Sequence, residues 1–109
     1  MPTTYKVLGQ VNPSATTNAT LYTVPSGTQT VVSTISICNQ ASTAATYRIA
    51  IRVAGATLSA EEYIVYGATV AASDSTFITS GLTLGATDVI TVYSSSANLS
   101  FNAFGSEIS

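Results

Sequence analysis

Residues 46–53 read TYRIAIRV, and their alternation decides the fold. On an extended chain Tyr47, Ile49, Ile51 and Val53 point one way, and Arg48, Ala50 and Arg52 point the other. A helix would smear four apolar residues and two arginines around its circumference. A strand separates them. This segment therefore reads as a strand in a sheet with one face on a core and one face toward water or a partner.

The same texture extends in both directions. Upstream lie YKVLGQV (5–11), TLYTV (20–24) and TQTVVSTISIC (28–38), divided by NPSATTNAT (12–20), the Pro25-Ser26-Gly27 turn and NQASTAA (39–45). In the first run Tyr5, Val7 and Gly9 share one face, and Lys6, Leu8 and Gln10 the other. Downstream, AGATLSAEE (54–62) has room for one helical turn at most, and the β-branched residues of YIVY (63–66) favour a strand. TFITSGLTL (76–84) is one strand or two short ones punctuated by Gly81. DVITVYS (88–94) and NLSFNAFG (98–105) complete the series. No helical pattern is long enough for a parallel crossover, so α/β architectures are disfavoured. The expectation is one all-β domain over residues 1–109, an antiparallel β-sandwich of about eight strands. Its topology is jelly-roll or immunoglobulin-like, and strand count does not separate the two. The Cys–Trp–Cys signature of true immunoglobulin domains is absent. Tyr22, Tyr47, Tyr63 and Phe101 are the natural aromatic core, while Tyr66 and Tyr93 face outward.

Composition narrows the function. The 109 residues include 3 Lys+Arg, 5 Asp+Glu and no His, for a net charge of -2. That leaves no basic footprint for nucleic acid. Without histidine there is no histidine-based triad and no histidine metal site. One cysteine excludes an internal disulfide framework, and Cys38, at the end of an apolar strand, reads as a small buried hydrophobe. The longest largely apolar run, YIVYGATVAA (63–72), is strand length and well short of the ~20 residues of a membrane helix. The N-terminal stretch has no continuous apolar segment of the kind a secretion signal carries. So little surface charge also suggests burial in a larger assembly.

Each remaining candidate site has a structural alternative. Glu61 and Glu62 are adjacent and diverge on an extended chain, so they make no local acid pair. Asp74 and Asp88 precede strands and suit Asx turns, with a calcium site between loops as the alternative. Arg48 and Arg52 share a face. They either pair with Glu61 or Glu62 across a solvated sheet or form a protein interface with Tyr66 and Tyr93. Tyrosines also stack on sugars, which keeps a carbohydrate-binding adhesion module open. A small hydrolase would need convergent carboxylates in a cleft, and the sequence disfavours it. No cofactor or metal is expected.

Three stretches add a resemblance. LGQVNPSATTNATLYTVPSGTQTVVSTISICN (8–39), ATYRIAIRVAG (45–55) and GATDVITVYSSSANLSFNAFGSEIS (85–109) resemble small structural proteins of tailed bacteriophages, especially phages of cyanobacteria and other aquatic bacteria. The resemblance spans nearly the whole chain and brings no catalytic motif. It implies a noncatalytic virion protein, made in the host bacterial cytoplasm. A coat offers many copies of a repeating surface that a small symmetric oligomer can bind by multivalency, so the leading expectation places it on the outer surface of the capsid. There it would act as a decoration, or cement, protein that binds the major capsid protein as a homotrimer. A neck, tail or fibre component is the alternative.

Overall fold

The computed structural model describes residues 2–79 and 81–109. Nine strands run through these described residues: β1 (Thr3–Val11), β2 (Thr17–Thr23), β3 (Gln29–Asn39), β4 (Ala45–Arg52), β5 (Tyr63–Val70), β6 (Ser75–Ile78), β7 (Leu82–Leu84), β8 (Val89–Ser94) and β9 (Leu99–Ile108). Two single 3-10 turns, Val53–Gly55 and Ala60–Glu62, occupy this stretch, one more than the single turn expected of AGATLSAEE. The strands form two antiparallel sheets. The first has the order β1-β9-β3-β6, with β7 also on β3, and the second has the order β2-β8-β4-β5. β6 and β7 pair with successive stretches of the same edge of β3, so they act as one interrupted strand.

This order settles the topology. An immunoglobulin-like sandwich keeps several consecutive strands paired as hairpins. Here β4 and β5 are consecutive neighbours, but β8 is inserted between β2 and β4, and β9 between β1 and β3. That interleaving is the double Greek key of a jelly roll.

The core follows from the alternation. Tyr47 and Ile49 are buried on the inner face of β4, and Ile51 packs against their cluster. Their neighbours on β8 are Ser94, Val92 and Ile90. The first sheet contributes Ile35, Ile37, Leu99, Phe101 and Ala103. Tyr47 meets Phe101 edge to face, with ring centroids 6.2 Å apart. Val53 departs from the expected pattern and is 65% exposed. β4 ends at Arg52 because the chain turns at Ala54, where φ is 53°. Cys38 is also displaced from the expected core. It is half-buried and alternates with the inward Ile35 and Ile37, so it lies on the outer face of the first sheet.

Bulges explain the remaining irregularities. A register shift between Thr20 and Tyr22 buries the consecutive residues Leu21 and Tyr22. In β1 only Leu8 is buried. Gly9 lies so close to β2 that a Cβ there would run into the Leu21 carbonyl oxygen.

At the end of β3 the side chain of Asn39 is 1% exposed and fully bonded. Its Nδ2 donates to the carbonyls of Thr43 (2.9 Å), Val70 (3.2 Å) and Ala71 (3.2 Å), and its Oδ1 accepts the Ala41 N–H at 3.0 Å. One amide thus ties β3 to the loop before β4 and to the end of β5.

These contacts set an order of sensitivity. In denaturant melts Ile49→Ala costs about 2–5 kcal/mol, whereas Val53→Ala stays within about 0.5 kcal/mol. Asn39→Ala costs about 1–3 kcal/mol by stranding buried carbonyls. Asn39→Asp costs more, because it turns an acceptor toward three other acceptors.

Candidate functional site

The outer face of the second sheet assembles most of the residues singled out from sequence. Across the strands, Arg48 of β4 lies opposite Tyr66 of β5 and Tyr93 of β8. Its guanidinium carbon is 4.3 Å from the centroid of each ring. Cation–π contacts of this kind are worth about 0.5–1 kcal/mol at exposed sites. Among the described residues Arg48 has no ion-pair partner and no hydrogen-bond acceptor. The salt bridge found among the described residues lies in the first sheet and joins Lys6 of β1 to Glu107 of β9 at 3.2 Å.

Two bulges in β5 build this face. Tyr63 and Tyr66 are three residues apart, and on a regular strand they would point to opposite sides. The register runs Tyr47 opposite Ala68, Arg48 opposite Tyr66, Ile49 opposite Val65 and Ala50 opposite Tyr63. Gly67 and Ile64 are therefore the extra residues. Gly67 has φ 78°, which suits glycine. Both tyrosines end up outside, packed edge to face at 4.9 Å. Tyr63 is thus half-buried on the outer face and not in the core, contrary to the expectation from its apolar neighbours. Nothing in the local sequence marks Ile64 as a bulge, so this residue of the site escapes a strand-by-strand reading. Tyr66 is 65% exposed. Beside it an open groove of about 610 Å³ is lined by Leu58, Ser59, Ala60, Tyr63 and Tyr66.

Arg52 shares the face but not the site. Its Nε donates to the Ala56 carbonyl at 2.8 Å and its Nη2 to the Gly55 carbonyl at 2.9 Å, so it fastens the turn that ends β4. Neither arginine pairs with Glu61 or Glu62. The Glu62 carboxylate accepts the Ser59 N–H at 2.9 Å, and Glu61 accepts the Ser59 hydroxyl at 2.8 Å. Asp74 accepts the N–H of Ser75, and Asp88 accepts those of Ala54 and Gly85, as turn-forming aspartates do.

A second polar cluster sits where β1, β2, β3 and β9 meet. The Tyr22 hydroxyl donates to Glu107 Oε2 at 2.5 Å and lies 2.8 Å from the Thr30 hydroxyl, while Lys6 pairs with the other Glu107 oxygen. Burial, reinforced by the bond to Glu107, pushes the Tyr22 phenol up to about 12. The Tyr22 hydroxyl, aided by Lys6, holds Glu107 below its ordinary value. A general acid or base works best with a pKa near the operating pH. These two groups are driven away from neutrality in opposite directions, so the cluster holds its proton still and clamps strands together. Among the described residues no three His, Cys, Asp or Glu side chains come together as a metal site.

The sequence matches no family model and no curated protein. In three dimensions the chain is similar to one in the structure of infectious bursal disease virus, Gt strain. The TM-score is 0.50 at 10% sequence identity, over 96% of this chain and 31% of that one. The likeness is one of fold, and this chain spans about a third of the length of its viral counterpart.

The clamp makes stability depend on pH at both extremes. Tyr22 titrates above its unfolded value of 10.0, so its contribution is complete below that pH and is lost as the pH rises toward about 12. Burial also raises Tyr47, which steepens the same limb. Glu107 titrates below 4.5, so its contribution holds above that value and is lost as the pH falls through the lower folded one. Thermal midpoints should be flat from about pH 5 to pH 10 and fall outside that window. Tyr22→Phe should shrink the alkaline fall without abolishing it, and Glu107→Gln should shrink the acid one.

Proposed function

We propose that this protein is a noncatalytic structural component of a tailed-bacteriophage virion. In this reading it decorates the outer surface of the head as a homotrimer bound to the major capsid protein. The observation that carries it is the contrast between the two outer faces of one jelly roll. On the first sheet, Tyr5 (83% exposed), Val7, Phe77 and Phe104 stand among serines and threonines, with no charged side chain on that face among the described residues. An uncharged, partly apolar face suits contact between copies, because like charges never meet across it. The other sheet presents Arg48, Tyr66 and Tyr93, residue types enriched at protein interfaces. A cement protein needs both kinds of contact, one with itself and one with the lattice. Three weak contacts held in one trimer bind a repeating surface far more tightly than one. The sequence resemblance to phage structural proteins and the fold likeness to a chain of a virus structure support the same reading.

A second reading has its own observation. The exposed Tyr66 ring beside the open groove offers a stacking surface for a sugar, which keeps a carbohydrate-binding adhesion module in play.

Electron microscopy of particles carrying labelled protein separates these readings. Density on the capsid faces is the expected result, together with a trimer by light scattering at micromolar concentration. Heads lacking the protein should assemble with normal tails yet fail at lower temperature. Label confined to neck, tail or fibres overturns the head assignment, and a glycan-dependent location favours the adhesion reading.

A further inference from the structure

We propose that the Arg48 guanidinium, clamped between the rings of Tyr66 and Tyr93, is a receptor for a single carboxylate group presented by a partner protein. The inference deepens the reading of this sheet face as the docking face and rests on it.

Geometry comes first. A guanidinium has two flat faces and a rim of five N–H donors. Tyr66 and Tyr93 each stand 4.3 Å from its central carbon, one from β5 and one from β8, on opposite sides of β4. Two rings at this distance restrain the group. That rim has no acceptor among the described residues, in contrast to Arg52, whose donors go to Gly55 and Ala56. A charged group fixed by its neighbours and left without a counter-ion is prepared for an incoming anion. Less rotamer freedom is lost on binding than a free arginine would lose.

The charge around the site selects the anion. Glu61 and Glu62 follow Ala60, a residue of the groove beside Tyr66, and both already accept hydrogen bonds from Ser59. Among the described residues Arg48 is the one cation available here, since Arg52 is engaged with the turn and Lys6 with Glu107, so the site offers little net attraction for a dianion or a polyanionic strand. A carboxylate carries one charge and presents two coplanar oxygens, which match two parallel N–H donors. Tyr63 and Tyr66 add an apolar wall against which the stem of an Asp or Glu side chain can lie.

The test uses the intact protein in solution, with sodium acetate as the probe. Arginine Nε–H signals are followed by NMR at constant ionic strength, replacing chloride with acetate. The expected result is a saturable shift at Arg48 and at the Tyr66 and Tyr93 ring protons, with Arg52 serving as an internal control that stays put. Arg48→Lys keeps the charge but loses the fork, and the ring-proton response should then weaken by about tenfold in apparent affinity, while the rest of the spectrum reports an intact fold. Tyr66→Ala should blunt the Arg48 response. Equal shifts at Arg48 and Arg52, or equal shifts with chloride, overturn the proposal. A stronger response to phosphate than to acetate, or a response to glucose alone, also overturns it. Failure of the docking reading looks different: the acetate response persists, yet Arg48→Lys protein decorates particles as well as the unaltered protein does.

Discussion

The insertion of β9 between β1 and β3 is the constraint on which the rest of the molecule depends. It pairs with β1 along one side and with nearly all of β3 along the other. From it Leu99, Phe101 and Ala103 project into the centre of the sandwich, each fully buried. Phe101 then meets Tyr47 of the opposite sheet. If β9 were absent, β1 would have no partner, β3 would keep only β6 and β7, and the second sheet would lose the part of its packing surface that Leu99, Phe101 and Ala103 supply. β8 has the same role between β2 and β4. The arginine site inherits this dependence, because Tyr93 reaches Arg48 only when β8 has taken its place.

A chain with so few charges has to satisfy its interior by other means. Asn39 does so with one amide bonded to three carbonyls, and Tyr22 with a hydroxyl that reaches both Thr30 and Glu107. These two knots lie near opposite ends of β3. Each ties strands from both sheets or their connecting loops. Charge is thereby kept off the broad outer face of the first sheet and gathered at turns, at the clamp and on β4. The asymmetry between the two outer faces is a consequence of how the polar groups are placed.

What the sequence could reveal followed from period. The alternation at 47–52 places Tyr47 and Ile49 inward and Arg48 outward, as they stand in the structure. Val53 failed because alternation does not report where a strand stops, and that is set by the turn at Ala54 and by Arg52 holding it. Tyr63 failed for a related reason. A bulge shifts the phase of a strand by one residue, and Ile64 looks like any other strand residue. The partners of Arg48 depend on register between strands far apart in sequence, so Tyr66 and Tyr93 were legible as outward-facing but not as its two neighbours. The choice between jelly roll and immunoglobulin-like topology depends on the same non-local pairings.

The position of β8 and β9 has a consequence in time. A ribosome releases the chain N-terminus first, and β8 and β9 are the last two of these nine strands to appear. Until they emerge, β1 and β2 have no hydrogen-bonded neighbour, and the facing edges of β3 and β4 stay open. At roughly 5–20 residues per second, that stretch takes seconds to complete. Throughout those seconds the nascent polypeptide carries unpaired edges of high β propensity among many other chains. Fast translation of the codons for this stretch, or a chaperone at the tunnel exit, would shorten or shield this interval. The pace at which residues 89–108 are translated therefore bears on yield alongside the side chains of the core.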